Sequence, residues 1–439
     1  MKVVLVTPYT GGNLGDAAIQ EAVIGNVRKR DPEADIVLVT LAPEFTARLH
    51  GVQGFPIGVT TFGPGFELPG PSPTPAAAPA GLMARVRAVA KQSPLLRTVW
   101  QRTGEVIRTL LRVTGVTEAR HIMKAFWVVR GSSVVVISGG GQLDDYWGGA
   151  LRQPYALLKW GLLAKVTGAR FVFLSVGHCS LRPLSRVLAH TALRIADYRS
   201  YRDRGSKDLA ATTRLTNGDP VYPDLAFSYE GRAAANHAGA ERRHRVVGIS
   251  PIAYLSRYGW PDRNSGVYDN YVRRLLDLVA DLVGRDCSIV LFSSDAADLP
   301  VIDELMQRFA RAGGDLLSHV TRHSTLTLDE LIPEVDALDC VVASRLHGVI
   351  LSHLRAKPTL AISYDRKVDA HMGDMGMSDY CLDIHKLESA SLIDAVGSLM
   401  ANGTSVQAHL RATAARHADA LQRQYDHVWS YVDRPAKAP

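Results

Sequence analysis

Short β-branched runs alternate with longer helical patterns through most of this chain, and that rhythm predicts βα units with parallel sheets. Val3–Thr7 reads as the first strand and Asp16–Arg30 as the helix after it, with Ile19, Val23 and Val27 at i, i+4 spacing and Asp31-Pro32 as the stop. Strands are predicted at Asp35–Thr40, Val134–Ser138, Phe171–Val176 and Tyr198–Tyr201, with helices near Leu151–Thr167 and Leu184–Ala196. A fresh series starts at Val246–Pro251. It continues with a helix at Tyr268–Val283, a strand at Ser288–Ser293, a helix at Ala297–Arg311, and strands at Cys340–Ala343 and Thr359–Ser363. The apolar-periodic segment His409–Val432 predicts a long terminal helix. A chain of 439 residues exceeds one ordinary core. The expected fold is therefore α/β, with two Rossmann-like domains facing across a cleft. They are placed at 1–235 and 240–403, followed by a helix and tail at 404–439, with the boundary in the Gly- and Ala-rich stretch Glu230–Arg243.

Residues 62–130 interrupt the rhythm. Gly63-Pro64-Gly65, Pro69-Gly70-Pro71 and the run Pro73–Ala80 predict a loop or linker. A basic helical stretch follows, from Arg85, Arg87 and Lys91 to Arg120, Lys124 and Arg130, with an apolar side that includes Leu82, Val86 and Val89. The plainer reading is an amphipathic insertion packed on the domain. The sharper one is an arm, residues 85–130, that rests on an anionic membrane.

Net charge of +7 favours anionic partners such as phosphate esters, acidic glycans or a lipid surface. Zinc-finger pairing and RNA-recognition aromatic motifs are not found in the sequence, so nucleic acid is not expected. Cys179, Cys287, Cys340 and Cys381 show no C-x-x-C spacing and read as single buried thiols in a reducing compartment, not as a zinc site. The short apolar run at the N-terminus does not read as a secretory signal, and a cytoplasmic location is expected, at the inner face of the membrane if the arm reading holds.

Four clusters that follow predicted strands carry the candidate chemistry. The first, Thr10-Gly11-Gly12-Asn13-Leu14-Gly15-Asp16, allows close backbone approach and opens a helix whose N–H groups suit an anion, although Asp16 also reads as a simple N-cap. Its glycines lack dinucleotide-fingerprint spacing. Ser138-Gly139-Gly140-Gly141 demands a tight turn or a close ligand. Arg202 in Arg202-Asp203-Arg204-Gly205-Ser206 is placed to fork onto a carboxylate or phosphate, or simply to pair with Asp203. Ser344-Arg345-Leu346-His347-Gly348 is the fullest cluster: a permanent cation and a histidine able to exchange a proton near neutrality, together at a helix start. Tyr364-Asp365-Arg366-Lys367 adds cations at the same edge.

These pieces together resemble the polysaccharide pyruvyl transferase family. The matching motifs are Gly12-Asn13-Leu14-Gly15-Asp16, Gly139-Gly140-Gly141, Arg202-Asp203-x-x-Ser206, Tyr222-Pro223-Asp224 with Ala226-Phe227, and Ser344-Arg345-Leu346-His347-Gly348 followed by Pro358 and Tyr364-x-x-Lys367. Ala17 stands where an acidic residue often follows the first motif, and the 62–130 insertion has no counterpart in the pattern. The resemblance implies a fold similar to GT-B glycosyltransferases, phosphoenolpyruvate as donor, and a pyruvate ketal on a saccharide acceptor, which a membrane-resting arm would meet in lipid-linked form. No metal or separate cofactor is called for.

Phosphoenolpyruvate presents a phosphate and a carboxylate, so Arg345, Lys367 and Arg202 are expected to bind it, with His347 as general acid or base and Asp16 orienting or deprotonating an acceptor hydroxyl. Asn13, Gly15, Gly139, Gly140, Gly141, Ser344, Gly348 and Tyr364 complete the expected substrate-binding set. Two other readings stand beside this one: a glycosyltransferase using a nucleotide-sugar donor, and a non-catalytic glycan-assembly protein docked on membranes.

Overall fold

The computed structural model describes residues 1–59, 115–146, 148–211, 218–231, 244–258, 260, 262–312, 316–324 and 327–432. The Pro-rich loop, the basic stretch up to residue 114, most of the Glu230–Arg243 boundary and the tail beyond 432 lie outside these residues.

The first half runs β1 (Lys2–Val6), α1 (Leu14–Arg30), β2 (Asp35–Thr40), α2 (Pro43–His50), β3 (Gln53–Pro56), α3 (Val116–Val129), β4 (Val134–Ser138), α4 (Gln153–Thr167), β5 (Arg170–Val176), α5 (Pro183–Ile195), β6 (Tyr198–Tyr201) and α6 (Arg204–Ala211). The second runs β7 (Val246–Ser250), α7 (Ser265–Gly284), β8 (Ser288–Leu291), α8 (Leu299–Ala312), β9 (Val320–Arg322), α9 (Leu328–Asp336), β10 (Cys340–Ala343), α10 (Leu346–Leu354), β11 (Thr359–Ser363), α11 (Arg366–Asp374), β12 (Cys381–Asp383), α12 (Ser389–Ala401) and α13 (Gly403–Val432).

Each half is one parallel sheet. The first has the order β3-β2-β1-β4-β5-β6 and the second β12-β11-β10-β7-β8-β9, the same winding counted from the opposite edge. Helices cover both faces, which is why strands such as Val3–Val6 and Val134–Ile137 are fully buried and read as unbroken apolar runs. In this winding the chain reverses direction beside the first strand of each sheet, between β1 and β4 and between β7 and β10. A crevice opens there at the strands' carboxyl ends, and that is where ligands bind in open α/β sheets.

Eight elements escape the sequence reading: α2, β3, α6, β9, α9, α11, β12 and α12. Most are short, and β3 (Gln-Gly-Phe-Pro) has little β-branched content. The end of the insertion, residues 116–129, is α3, packed on the first domain beside α4. The terminal helix α13 begins six residues earlier than its apolar period suggests and crosses back to the first domain. There Gln424 accepts from Ser175 Oγ at 3.1 Å and donates to Ser200 Oγ, and Asp426 pairs with Arg30 of α1.

Under α13 lies a buried group of imidazoles. His353 Nδ1 is 3.1 Å from His371 Nε2, and His417 packs edge-on against Phe227. Burial, with neighbouring imidazoles adding to it, pushes His353 down to about 3 and His371 well below 6.5; burial and Arg416 push His417 down to about 4. The unfolded chain takes up these protons from about pH 6.5 downward while the native state does not, so this contribution is present at pH 7 and is lost on acidification. Denaturant unfolding measured between pH 6.5 and 4 is expected to lose about 1.4 kcal/mol less per pH unit in His353→Gln than in the parent, the equivalent of one proton.

Candidate active site

The loop after β1 is held by its own side chain and by the other domain. Asn13 caps α1, its Oδ1 accepting from Gly15 N at 3.0 Å and Asp16 N at 3.2 Å. Leu14 N donates to Ser294 O at 2.8 Å, and Ala296 N donates to Gly12 O at 2.9 Å, so the loop is stitched to the turn after β8. The cap is therefore Asn13, and the simple N-cap reading of Asp16 does not hold: Asp16 lies two residues into the helix, with its carboxyl on the cleft.

His347 follows from the same geometry. It sits in the first turn of α10, and its ring packs on Gly15, where a Cβ would lie 1.9 Å from His347 Cγ. Only glycine permits that contact between the two domains. Nε2 of His347 is buried 3.9 Å from Asp224 Oδ2 and makes no hydrogen bond among the described residues.

The cleft between the domains measures about 1090 Å³. From the first domain Asn13, Asp16, Gly141 and Arg202 line it; from the second come Arg345, His347, Tyr364 and Lys367. The other expected residues build its walls. Ser344 is buried with its hydroxyl 2.7 Å from Tyr271 OH, and a Cβ on Gly348 would rest against Ser250 and Ser294. Gly139 packs against Leu225, and Gly140, at φ +68, turns the chain beside Asp16.

Electrostatics separates the titratable groups. Burial, then the carboxylates of Asp295 and Asp224, push Asp16 up to about 7, with Arg202 and Lys367 opposing. Burial pushes His347 down to about 4; Asp224 opposes this, and Arg202 and Lys367 reinforce it. The sequence expectation is thus reversed, since the carboxyl of Asp16, not the imidazole, titrates near neutrality. Paired groups with pKa values driven apart in one cleft are suited to acid–base work.

The cations divide as well. Arg345 is held charged: burial opposes its charge, but Asp298 and Asp295 outweigh it. Its Nε and Nη2 bond Asp298 at 2.6 and 3.0 Å, and Nη1 is 3.5 Å from Asp295. Expected to meet a donor anion, it is instead matched by two carboxylates of its own domain. Among the described residues the partners of Arg202 are longer, Asp224 at 3.4 Å and Asp203 at 3.7 Å, while the Asp203 carboxylate is taken up by Ser206 N and Oγ. The room for its guanidinium comes from Gly177, where a Cβ would lie 2.8 Å from Nη2. Lys367 stays protonated, burial being outweighed by Tyr364 and Asp365; its Nζ is 4.0 Å from Asp365.

Sequence reasoning passed over Asp295 and Asp298, although Ser293-Ser294-Asp295 follows β8 as directly as the chosen clusters follow their strands. Asp224 was in view only as part of a motif. Trp260, which packs against Tyr254 and Tyr364 at the cleft, gave no periodic signal. Among the described residues, no three His, Cys, Asp or Glu side chains are grouped to hold a metal ion.

The model of the polysaccharide pyruvyl transferase family matches residues 13–366. The chain belongs to this family. The match begins at the Asn13 cap and ends at the first residue of α11, so the family's shared region takes in both faces of the cleft. No curated protein matches. Solved structures share the fold at low identity. Anabaena HepE in complex with UDP is 12% identical, with 98% of this chain and 100% of that chain covered at a TM-score of 0.56. S. aureus MnaA with UDP is 10% identical over 100% and 99%, at 0.57. The UDP-GlcNAc 2-epimerase of Methanocaldococcus jannaschii is 8% identical over 94% and 99%, at 0.56. This pyruvyl transferase family member therefore has the two Rossmann-like domains of GT-B glycosyltransferases and epimerases.

Proposed function

We propose that the protein transfers the pyruvyl group of phosphoenolpyruvate to two hydroxyls of a saccharide, forming a pyruvate ketal and releasing phosphate. The observation that carries this reading is the convergence of Arg202 and Lys367 with Asp16 and His347 on one cleft, with Asp16, Arg202 and His347 inside the region matched by the family and Lys367 one residue beyond it. A doubly anionic donor needs cations that are not already matched. Arg202 and Lys367 are the better suited for that, with the N–H groups at the start of α10 beside them. Arg345, matched by Asp298 and Asp295, acts as a positioning residue that fixes the turn leading to His347.

The proton balance suits a single pair of groups. The donor's methylene carbon gains a proton and its central carbon becomes cationic. One sugar hydroxyl adds there and gives up its proton; the bond to phosphate breaks; the second hydroxyl adds and gives up its own. Of the two hydroxyl protons, one replaces that delivered to carbon and the other leaves with phosphate. Asp16, protonated below about pH 7, is assigned as the acid toward the methylene carbon. His347, neutral and with Nε2 unbonded, is assigned as acceptor of a hydroxyl proton; bound donor anions raise its proton affinity.

A raised carboxyl pKa means that the acid form is present below it and lost above it. kcat/KM is thus expected to decline as pH rises through about 7, and Asp16→Asn is expected to show little activity and no such decline. The direct test is phosphate release from phosphoenolpyruvate by the full chain against a panel of glycosides and lipid-linked sugars. Acceptor-dependent release supports the reading. Binding of a nucleoside diphosphate with no binding of phosphoenolpyruvate would move the assignment to a nucleotide-sugar transferase.

A further inference from the structure

The layer α3–α4–α5 covers one face of the first sheet, and its outer surface is neither polar nor neutral. Met123 and Trp127 on α3, Leu162 and Val166 on α4, and Leu184 and Val187 on α5 are between 49% and 75% exposed. Spacings of four and three residues align them as a stripe along each helix, and the helices pack side by side. Large apolar side chains concentrated on one layer mark an interaction surface.

Charge narrows the partner. Across these three helices Glu118 is the one acidic residue in the sequence, and it is held by Lys159 Nζ and Tyr155 OH, each at 3.0 Å, at the cleft. The outer surface carries Arg120, Lys124, Arg186 and Arg194, and Arg130 lies over the Trp127 ring at 4.9 Å. A second copy of this chain would set a basic face against a basic face. An anionic bilayer takes both components, apolar side chains into the headgroup boundary and cations to its surface.

We infer that the α3–α4–α5 face docks on an anionic lipid surface. Thr117 and Glu118 at the start of α3 and Gln153 and Tyr155 at the start of α4 line the cleft, so the apolar stripes run outward from its rim. Docking there brings the cleft to the bilayer. Given the proposed pyruvyl transfer, this suits an acceptor sugar carried on a membrane lipid. The docking itself is independent of the reaction.

The test is co-sedimentation of the full chain with phosphatidylcholine vesicles, with and without phosphatidylglycerol. Binding to the anionic vesicles alone is expected, weakened by salt. Leu162→Asp with Val166→Asp, at positions open to solvent, is expected to lower partitioning by about tenfold or more with unchanged circular dichroism. Arg120→Glu with Lys124→Glu is expected to remove the preference for anionic lipid. Failure of the parent to bind, or equal binding by the Leu162/Val166 variant, overturns the proposal. So does a vesicle-free shift from dimer to monomer in that variant, which would assign the face to a second copy of the chain.

Discussion

Replacing His347 by alanine is expected to lower turnover by about 10²–10⁴-fold while phosphoenolpyruvate still binds. His347 Nε2 is buried and makes no hydrogen bond among the described residues, and a bound substrate would supply the partner that such a group calls for. Arg202 and Lys367 remain in place in the variant, so calorimetric affinity for the donor should change far less than kcat. The ring also fills the contact with Gly15, and its loss leaves a gap between the domains. His347→Gln keeps most of that volume and is expected to be as inactive as the alanine variant. Turnover within about threefold of the parent in both, with the fold intact, would remove His347 from the chemistry.

Asp298→Ala is expected to destabilise the protein by about 3–5 kcal/mol, read as a lower urea midpoint at unchanged slope. Asp298 is fully buried, accepts twice from Arg345 and once from Ala253 N at 2.8 Å, and its removal strands a guanidinium that is itself largely buried. Asp295 at 3.5 Å offsets part of the cost. Asp298→Asn retains hydrogen-bonding capacity and should lose less. A loss below about 1 kcal/mol in the alanine variant would mean that Arg345 is solvated from the cleft and not dependent on its partner.

Both expectations depend on relations that chain order does not display. Strand positions were legible because a parallel strand buried on both faces must be apolar throughout. Val134–Ser138, Cys340–Ala343 and Thr359–Ser363 were therefore placed to the residue. Helix starts were less so: Asn13, not Asp16, is the cap, because either short polar side chain suits that position locally. Elements such as α2, β3, β9 and β12 are too short to stand out in the sequence, and the start of α13 is hidden because its first residues are mostly exposed.

At the cleft, chain order alone sets which residue types stand at the carboxyl ends of the strands. The glycine turns, Asp16, Arg202, the Arg-Leu-His triplet and Lys367 all follow apolar runs, and parallel winding delivers such loops to one edge. Their charge states and their partners come from the folded arrangement. Asp16 is pushed up to about 7 by burial together with Asp295 of the opposite domain and Asp224 of its own, and His347 is held neutral by burial against Gly15. Arg345 is claimed by Asp298 of the neighbouring turn. Proton affinity and ion pairing depend on desolvation and on distances of a few ångströms, and those are set when the two domains close on one another.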